Sequence, residues 1–141
     1  MRGLIMANGE YGGLNWYAKR KDKYPYILCT DGAAKMARRL DILPDAVVGD
    51  MDSISQGDLL YMEDREVSFF RHPPEKDFTD THLALELLRE KGFSDITIWG
   101  GTGGRLDHTI SNILSTITFV QIGISIIFEE PGLTIYIIED K

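Results

Sequence analysis

The stretch DITIWGGTGGRLDH, residues 95–108, passes from an apolar, β-branched run through four glycines in five positions into an acidic helix start. Parallel strands cannot be joined by a tight turn, so a strand that leads into a helix in this way is half of a crossover unit. The same unit repeats on both sides of it. Apolar runs fall at 3–8, 26–30, 45–50, 67–70 and 124–129 as well as 95–100, with helical patterns near 13–20, 32–40, 55–64, 80–91 and 107–121. This alternation predicts an α/β fold: a doubly wound, mostly parallel sheet with helices on both faces, Rossmann-like in architecture. The clearest helix is 80–91, where Leu83, Ala84, Leu87 and Leu88 form an apolar stripe and Gly92 stands at the expected left-handed C-terminal cap. Residues 113–120 read as core, and Trp16 and Trp99 as packing residues.

The pattern changes near the end. Pro131-Gly132 is a turn signal, and LTIYIIED after it is a second strand-like run reached without a helix. The expected division is an α/β unit over 1–129 and the start of a truncated β domain over 130–141.

At 141 residues, with 43% hydrophobic and 26% charged residues, the composition is that of one ordinary globular domain. A net charge of −7 without a dense basic cluster argues against nucleic-acid binding. Cys29 is the sole cysteine, which rules out a disulfide framework or a cysteine metal site within one chain. The apolar run at 4–7 is broken at once by Asn8, Gly9 and Glu10, and no segment reaches membrane-spanning length. The expected location is the cytoplasm, with no membrane partner.

In an open parallel sheet the loops leaving the carboxyl ends of the strands form the ligand crevice. Five such loops carry polar chemistry: Asn8-Gly9, Asp31-Gly32, GDMDS at 49–53, the Lys76–Asp80 cluster, and GGTGGRLDH at 100–108. Asp50 and Asp52 are two apart, so an extended backbone would point both to one side, where paired oxygens suit a hard cation such as Mg²⁺. Solvated loop aspartates, with Ser53 capping the next helix, are the plainer reading. In the glycine loop, backbone amides can approach a ligand closely, Arg105 offers a planar fork for phosphate oxygens, and Asp107 opens the next helix. The loop is neither the dinucleotide fingerprint nor a P-loop, because its glycine order and ending differ from both. Capping would account for Asp80 but less well for Lys76 and Asp77. His82 reads as a half-exposed surface residue, and His108 either caps its helix or contacts phosphate.

DGAA (31–34), LPDAVVGDMDSI (43–54), PPEKDFTDTHLAL (73–85) and GGTGGRLDHTISNI (100–113) together resemble the motifs of thiamine pyrophosphokinases, in order and at similar spacing. The resemblance implies an α/β nucleotide-binding domain followed by a β-sandwich domain, paired as a homodimer, that converts ATP and thiamine to thiamine diphosphate and AMP with Mg²⁺. By similarity it assigns Asp50, Asp52 and Asp77 to Mg²⁺ and the transferred group, with Asp31 in the same acidic cluster. Lys76, Arg105 and the amides of Gly103 and Gly104 would contact phosphate oxygens. Asn8 and Gly9 would help to line the nucleotide site. Thr79 and Asp80 divide between capping and site support, and Asp107 either orients Arg105 or binds Mg²⁺ through its outer shell. The carboxylate that would accept the hydroxyl proton stays open. Because the second domain contributes to the thiamine pocket in that family, three readings stand side by side: a pyrophosphokinase catalytic domain, a Mg²⁺-dependent nucleotide phosphohydrolase using the same acids, and a non-enzymatic nucleotide-binding fragment.

Overall fold

Strand β1 (Arg2–Met6) is buried from Gly3 onward, as a strand must be that has a neighbour on each edge and helices over each face. It sits inside a seven-stranded sheet in a computed structural model that describes residues 2–71 and 79–139. The other strands are β2 (Tyr26–Thr30), β3 (Ala46–Gly49), β4 (Ser68–Arg71), β5 (Asp95–Trp99), β6 (Ser125–Glu130) and β7 (Leu133–Ile137). The sheet order is β4-β3-β2-β1-β5-β6-β7, and every pair is parallel except β6–β7. The chain therefore winds outward from β1 to β4, returns to the far side of β1 as β5, and winds outward again. The reversal between β1 and β5 is the topological switch point, where a crevice opens beyond the strand ends.

Alternation along β1 divides the interior between two faces. Leu4 and Met6 join Cys29, Val47 and Trp99 in the cluster covered by α1 (Leu14–Ala18), α2 (Ala34–Arg39) and α3 (Gln56–Asp64). Ile5 and Ala7 join Leu28, Val48 and Ile98 on the other face, under α4 (Asp80–Glu90) and α6 (Ile117–Gln121). Helices thus cover both faces, as the sequence pattern predicts. Trp99 is fully buried with Trp16, Tyr17 and Tyr24 edge-on around it, so the two tryptophans do pack rather than form a platform.

The ends of α4 follow from its residues. The Thr79 hydroxyl accepts the His82 amide at 3.1 Å, so of the two residues that divide between capping and site support Thr79 is the N-cap, and Asp80 is the first helical residue. At the other end Gly92 has φ +90°, and its amide and that of Phe93 donate to the Arg89 and Leu88 carbonyls. This is a Schellman closure. The buried stripe is Thr81, Ala84, Leu85 and Leu88, with Leu83 and Leu87 half-buried beside it. In α3 the N-cap is Ser55, whose hydroxyl accepts the Asp58 amide, and not Ser53.

The helix expected over 107–121 is two helices, α5 (Leu106–Ser115) and α6. Thr116 lies between them fully buried, and its hydroxyl donates to the Ile113 carbonyl at 2.7 Å while the Ser115 hydroxyl donates to Ser111. Side chains that bond backbone carbonyls in this way compete with the helical ladder. Of the stretch 113–120 expected as core, Phe119 and Thr116 are buried, whereas Leu114 and Ile117 are exposed. Leu133–Ile137 pairs antiparallel with β6 at the sheet edge. No described helix is long and apolar enough to cross a membrane.

Candidate functional site

Asp31 follows β2 directly and is 3% exposed. A buried carboxylate needs donors, and here they are amides: Gly32 donates to Oδ1 at 2.8 Å, and Met51 and Ser53 donate to Oδ2 at 3.0 and 3.4 Å. The loops after β2 and β3 are therefore tied together through one side chain. Gly49, at φ +149°, permits the approach, since a Cβ there would stand 2.7 Å from the Asp31 Cγ. Burial first, then the hydrogen bond and charge of Asp80, push the Asp31 pKa up to about 6, with the Ser53 and Gly32 amides opposing. Asp31 and Asp80 thus face each other where β2 meets the head of α4.

GDMDS is not extended as its spacing suggests. Met51 sits at φ +70°, and the Asp50 carboxylate turns back to accept the Asp52 amide at 2.9 Å. The two acids therefore occupy one tight turn rather than alternate positions on a strand. Asp52 is exposed and Asp50 half-buried, and the turn is anchored beside Asp31 by the Met51 amide.

The glycine loop is fixed against the loop after β1. The Gly9 amide donates to the Gly100 carbonyl at 2.6 Å, Glu10 to Thr102 at 3.1 Å, and the Asn112 side chain holds the Gly101 carbonyl at 2.9 Å. Gly103 and Gly104 both adopt positive φ, a conformation that L side chains rarely take. Arg105 places its fork on Asp107 through Nε at 3.1 Å and Nη2 at 2.7 Å. Desolvation raises the Asp107 pKa, but the Arg105 hydrogen bonds and charge outweigh it and hold the carboxyl below its ordinary range. Of the two roles expected for Asp107, the geometry displays the one that orients Arg105. The His108 amide donates to Asp107, and its side chain borders the cleft.

These parts enclose a cleft of about 610 Å³ at the switch point. Asn8 and Gly9 border it from the β1 side, Thr79 and Asp80 from α4, and Gly103, Gly104 and Arg105 from the glycine loop. Asp50, Asp52 and Asp107 are not part of that lining, and Asp31 stands behind it, next to Thr30. Lys76 and Asp77 lie outside the described residues. Among the described residues no three His, Cys, Asp or Glu side chains are arranged to hold a metal ion. Asp31, Asp50, Asp52 and Asp80 offer oxygen donors only, which is the donor chemistry of Mg²⁺ and unlike that of a soft metal, although the described residues do not bring them together as one ligand set.

Sequence reasoning missed Lys35 on α2 and Ser111 and Asn112 on α5, which also line the cleft. A signal was present for α5: His108, Ser111, Asn112 and Ser115 recur at helical spacing and make a polar stripe. For Lys35 there was none, because an exposed lysine in a first helical turn is unremarkable. A second groove of about 520 Å³ runs between α4 and α5, bordered by His82, Ile110 and Leu114. His82 is half-buried there and stacks edge-on against Phe119, centroids 5.2 Å apart.

Comparison with known proteins agrees with this geometry. Residues 17–128 match the family described as thiamin pyrophosphokinase, catalytic domain. A Caenorhabditis elegans thiamin pyrophosphokinase is 31% identical over 127 residues, covering 83% of this chain and 50% of that protein. The Bacillus subtilis thiamine pyrophosphokinase is 40% identical over 72 residues, or 51% of this chain and 34% of that protein. A crystal structure of the Bacillus subtilis enzyme superposes with a TM-score of 0.76 at 28% identity, over 92% of this chain and 60% of that one. The Enterococcus faecalis structure gives 0.71 at 26% identity, over 92% and 61%. The chain spans half or less of the length of these curated relatives. With a matched segment that takes in four of the five crevice loops whole and the structure's own sheet order, the chain belongs to the thiamin pyrophosphokinase catalytic-domain family.

Proposed function

We propose that this chain binds ATP in the switch-point cleft and serves transfer of a diphosphate group to the hydroxyl of thiamine, releasing thiamine diphosphate and AMP. The observation that supports it is the coincidence of the family match with a cleft bordered by the glycine loop, the head of α4 and the loop after β1. In such a transfer the acceptor oxygen attacks the β-phosphorus in line with the departing AMP, so the site must hold the polyphosphate and align the nucleophile. Arg105, whose planar fork is oriented by Asp107, presents donors for phosphate oxygens, with the Gly103 and Gly104 backbone approaching beside it. Asp50 and Asp52, with Asp77, would hold Mg²⁺, which when bound supplies charge neutralisation of the phosphates. Asp31 ties their turn to β2 and to Asp80. Lys76 is assigned to phosphate as well.

The same reading takes residues 130–141 as the start of a further β domain, the working unit as a homodimer that completes the thiamine pocket, and the cytoplasm as its location. Calorimetry tests the first step. Mg²⁺-dependent ATP binding is expected, and Asp50→Asn should weaken it by about tenfold or more, the effect of losing one charged ligand. Equal affinity in variant and parent removes Asp50 from the metal site. With thiamine added, chromatography should show thiamine diphosphate and AMP in equal amounts; release of phosphate from ATP without thiamine would mark a phosphohydrolase instead.

A further inference from the structure

Lys35 projects from the first turn of α2 onto the lining of the cleft, a lining that also carries the acids Glu10 and Asp80. The arginine of the described lining, Arg105, is engaged by Asp107, whereas Lys35 has neither an ion pair nor a hydrogen bond among the described residues. On the same lining, at the end of β2, Thr30 is 3% exposed, and its buried hydroxyl has no partner among the described residues. Buried hydroxyls are almost always satisfied, so one left without a partner beside a cleft marks the place where a ligand atom can supply it. A lysine ammonium is a compact point charge that suits phosphate oxygens and offers little to a nucleoside. An anionic ligand entering a cleft of a chain with net charge −7 also depends on each uncommitted cation it meets.

We propose that Lys35 and Thr30 form a phosphate-contact subsite, in which Lys35 makes the cleft select a nucleoside polyphosphate over the bare nucleoside. The subsite rests on the nucleotide reading given above. Lys35 contributes charge and Thr30 a hydroxyl donor, from the α2 side of the cleft and apart from the glycine loop.

Calorimetric titration of the full chain with ATP, ADP, AMP and adenosine, all in Mg²⁺, tests this with Lys35→Met, Lys35→Arg and Thr30→Val. In the parent, affinity should rise with phosphate number. Lys35→Met should lower ATP affinity about tenfold, the worth of one charged hydrogen bond, and leave adenosine within about twofold, while Lys35→Arg keeps most of the ATP affinity. Thr30→Val should weaken ATP several-fold without lowering the melting temperature, because the hydroxyl it removes has no partner in the folded chain. A silent Lys35→Met, or an equal loss for ATP and adenosine, overturns the subsite while the parent's ATP binding still upholds the nucleotide reading. A fall in melting temperature with unchanged ATP affinity in Thr30→Val removes Thr30 from it. Absence of nucleotide binding by the parent overturns both.

Discussion

Helices α4 and α5 lie side by side, eleven and ten residues long, and both carry an apolar and a polar face, yet only α4 buries its apolar face. Thr81, Ala84, Leu85 and Leu88 of α4 press onto β1, β2 and β3 and are at most 4% exposed. No residue of α5 is buried, and Leu106, Ile110 and Leu114 are 72%, 48% and 58% exposed. The pattern in each sequence states that a face exists. Which helix reaches the sheet is decided by topology, since α4 crosses back over the centre of the sheet while α5 packs on α4 and α6. The helix starts differ in the same sense. Asp80 at the head of α4 meets the buried Asp31 across the fold, whereas Asp107 at the head of α5 pairs with its own neighbour Arg105 in the open.

The sharpest way to break this comparison is to shorten one leucine on each helix. Leu85→Ala empties a fully buried site between α4 and the sheet and should cost about 2–5 kcal/mol of unfolding free energy in urea. The equivalent change on the exposed face of α5 should cost a small fraction of that. If Leu85→Ala costs under about 1 kcal/mol, α4 does not carry the core of its face.

The helix starts differ in how pH acts on them. Asp31 has a folded pKa of about 6, above its ordinary 3.8, so the folded state holds the proton more tightly than the unfolded state does. Its contribution is therefore fullest below about pH 4 and is lost as pH rises through 6, on the order of 3 kcal/mol in all. Asp107, held low by Arg105, contributes with the opposite sign, present at neutral pH and lost as pH falls below its ordinary range. Asp31→Asn should abolish the decline between pH 4 and 6, whatever it does to the absolute level. A decline of unchanged slope in that variant would assign it to other carboxylates.

What was legible in the sequence divides along the same line. The central strands and the doubly wound sheet were readable because β1, β2, β3 and β5 are buried on both faces and so read as continuous apolar runs, and the Gly92 cap because only one conformation closes α4 that way. The crevice loops were readable for the same topological reason. The turn at Asp50–Asp52 was not, since the amide that Asp50 accepts and the positive φ of Met51 follow from the Asp31 anchor, twenty residues away in sequence. Nor was the break at Thr116, which depends on burial that packs its hydroxyl against the Ile113 carbonyl. Lys35 carried no local signal at all, because its place on the cleft comes from β2 lying beside β1.

The smallest expected effect is the most informative about α5. Leu114→Gln replaces an apolar side chain that is 58% exposed by a polar one of similar length and equal fitness for helix, so unfolding free energy should change by no more than about 0.5 kcal/mol. The variant should also lower any tendency to associate, because Leu106, Ile110, Leu114 and Ile117 recur at helical spacing as one exposed apolar stripe, and breaking its middle shortens the continuous patch. Denaturation and light scattering on the same samples separate the two effects. If Leu114→Gln instead costs about 2 kcal/mol and the cost grows with protein concentration, the stripe is covered by another copy of the chain, and the contrast between α4 and α5 becomes one between a face buried within the subunit and a face buried between subunits.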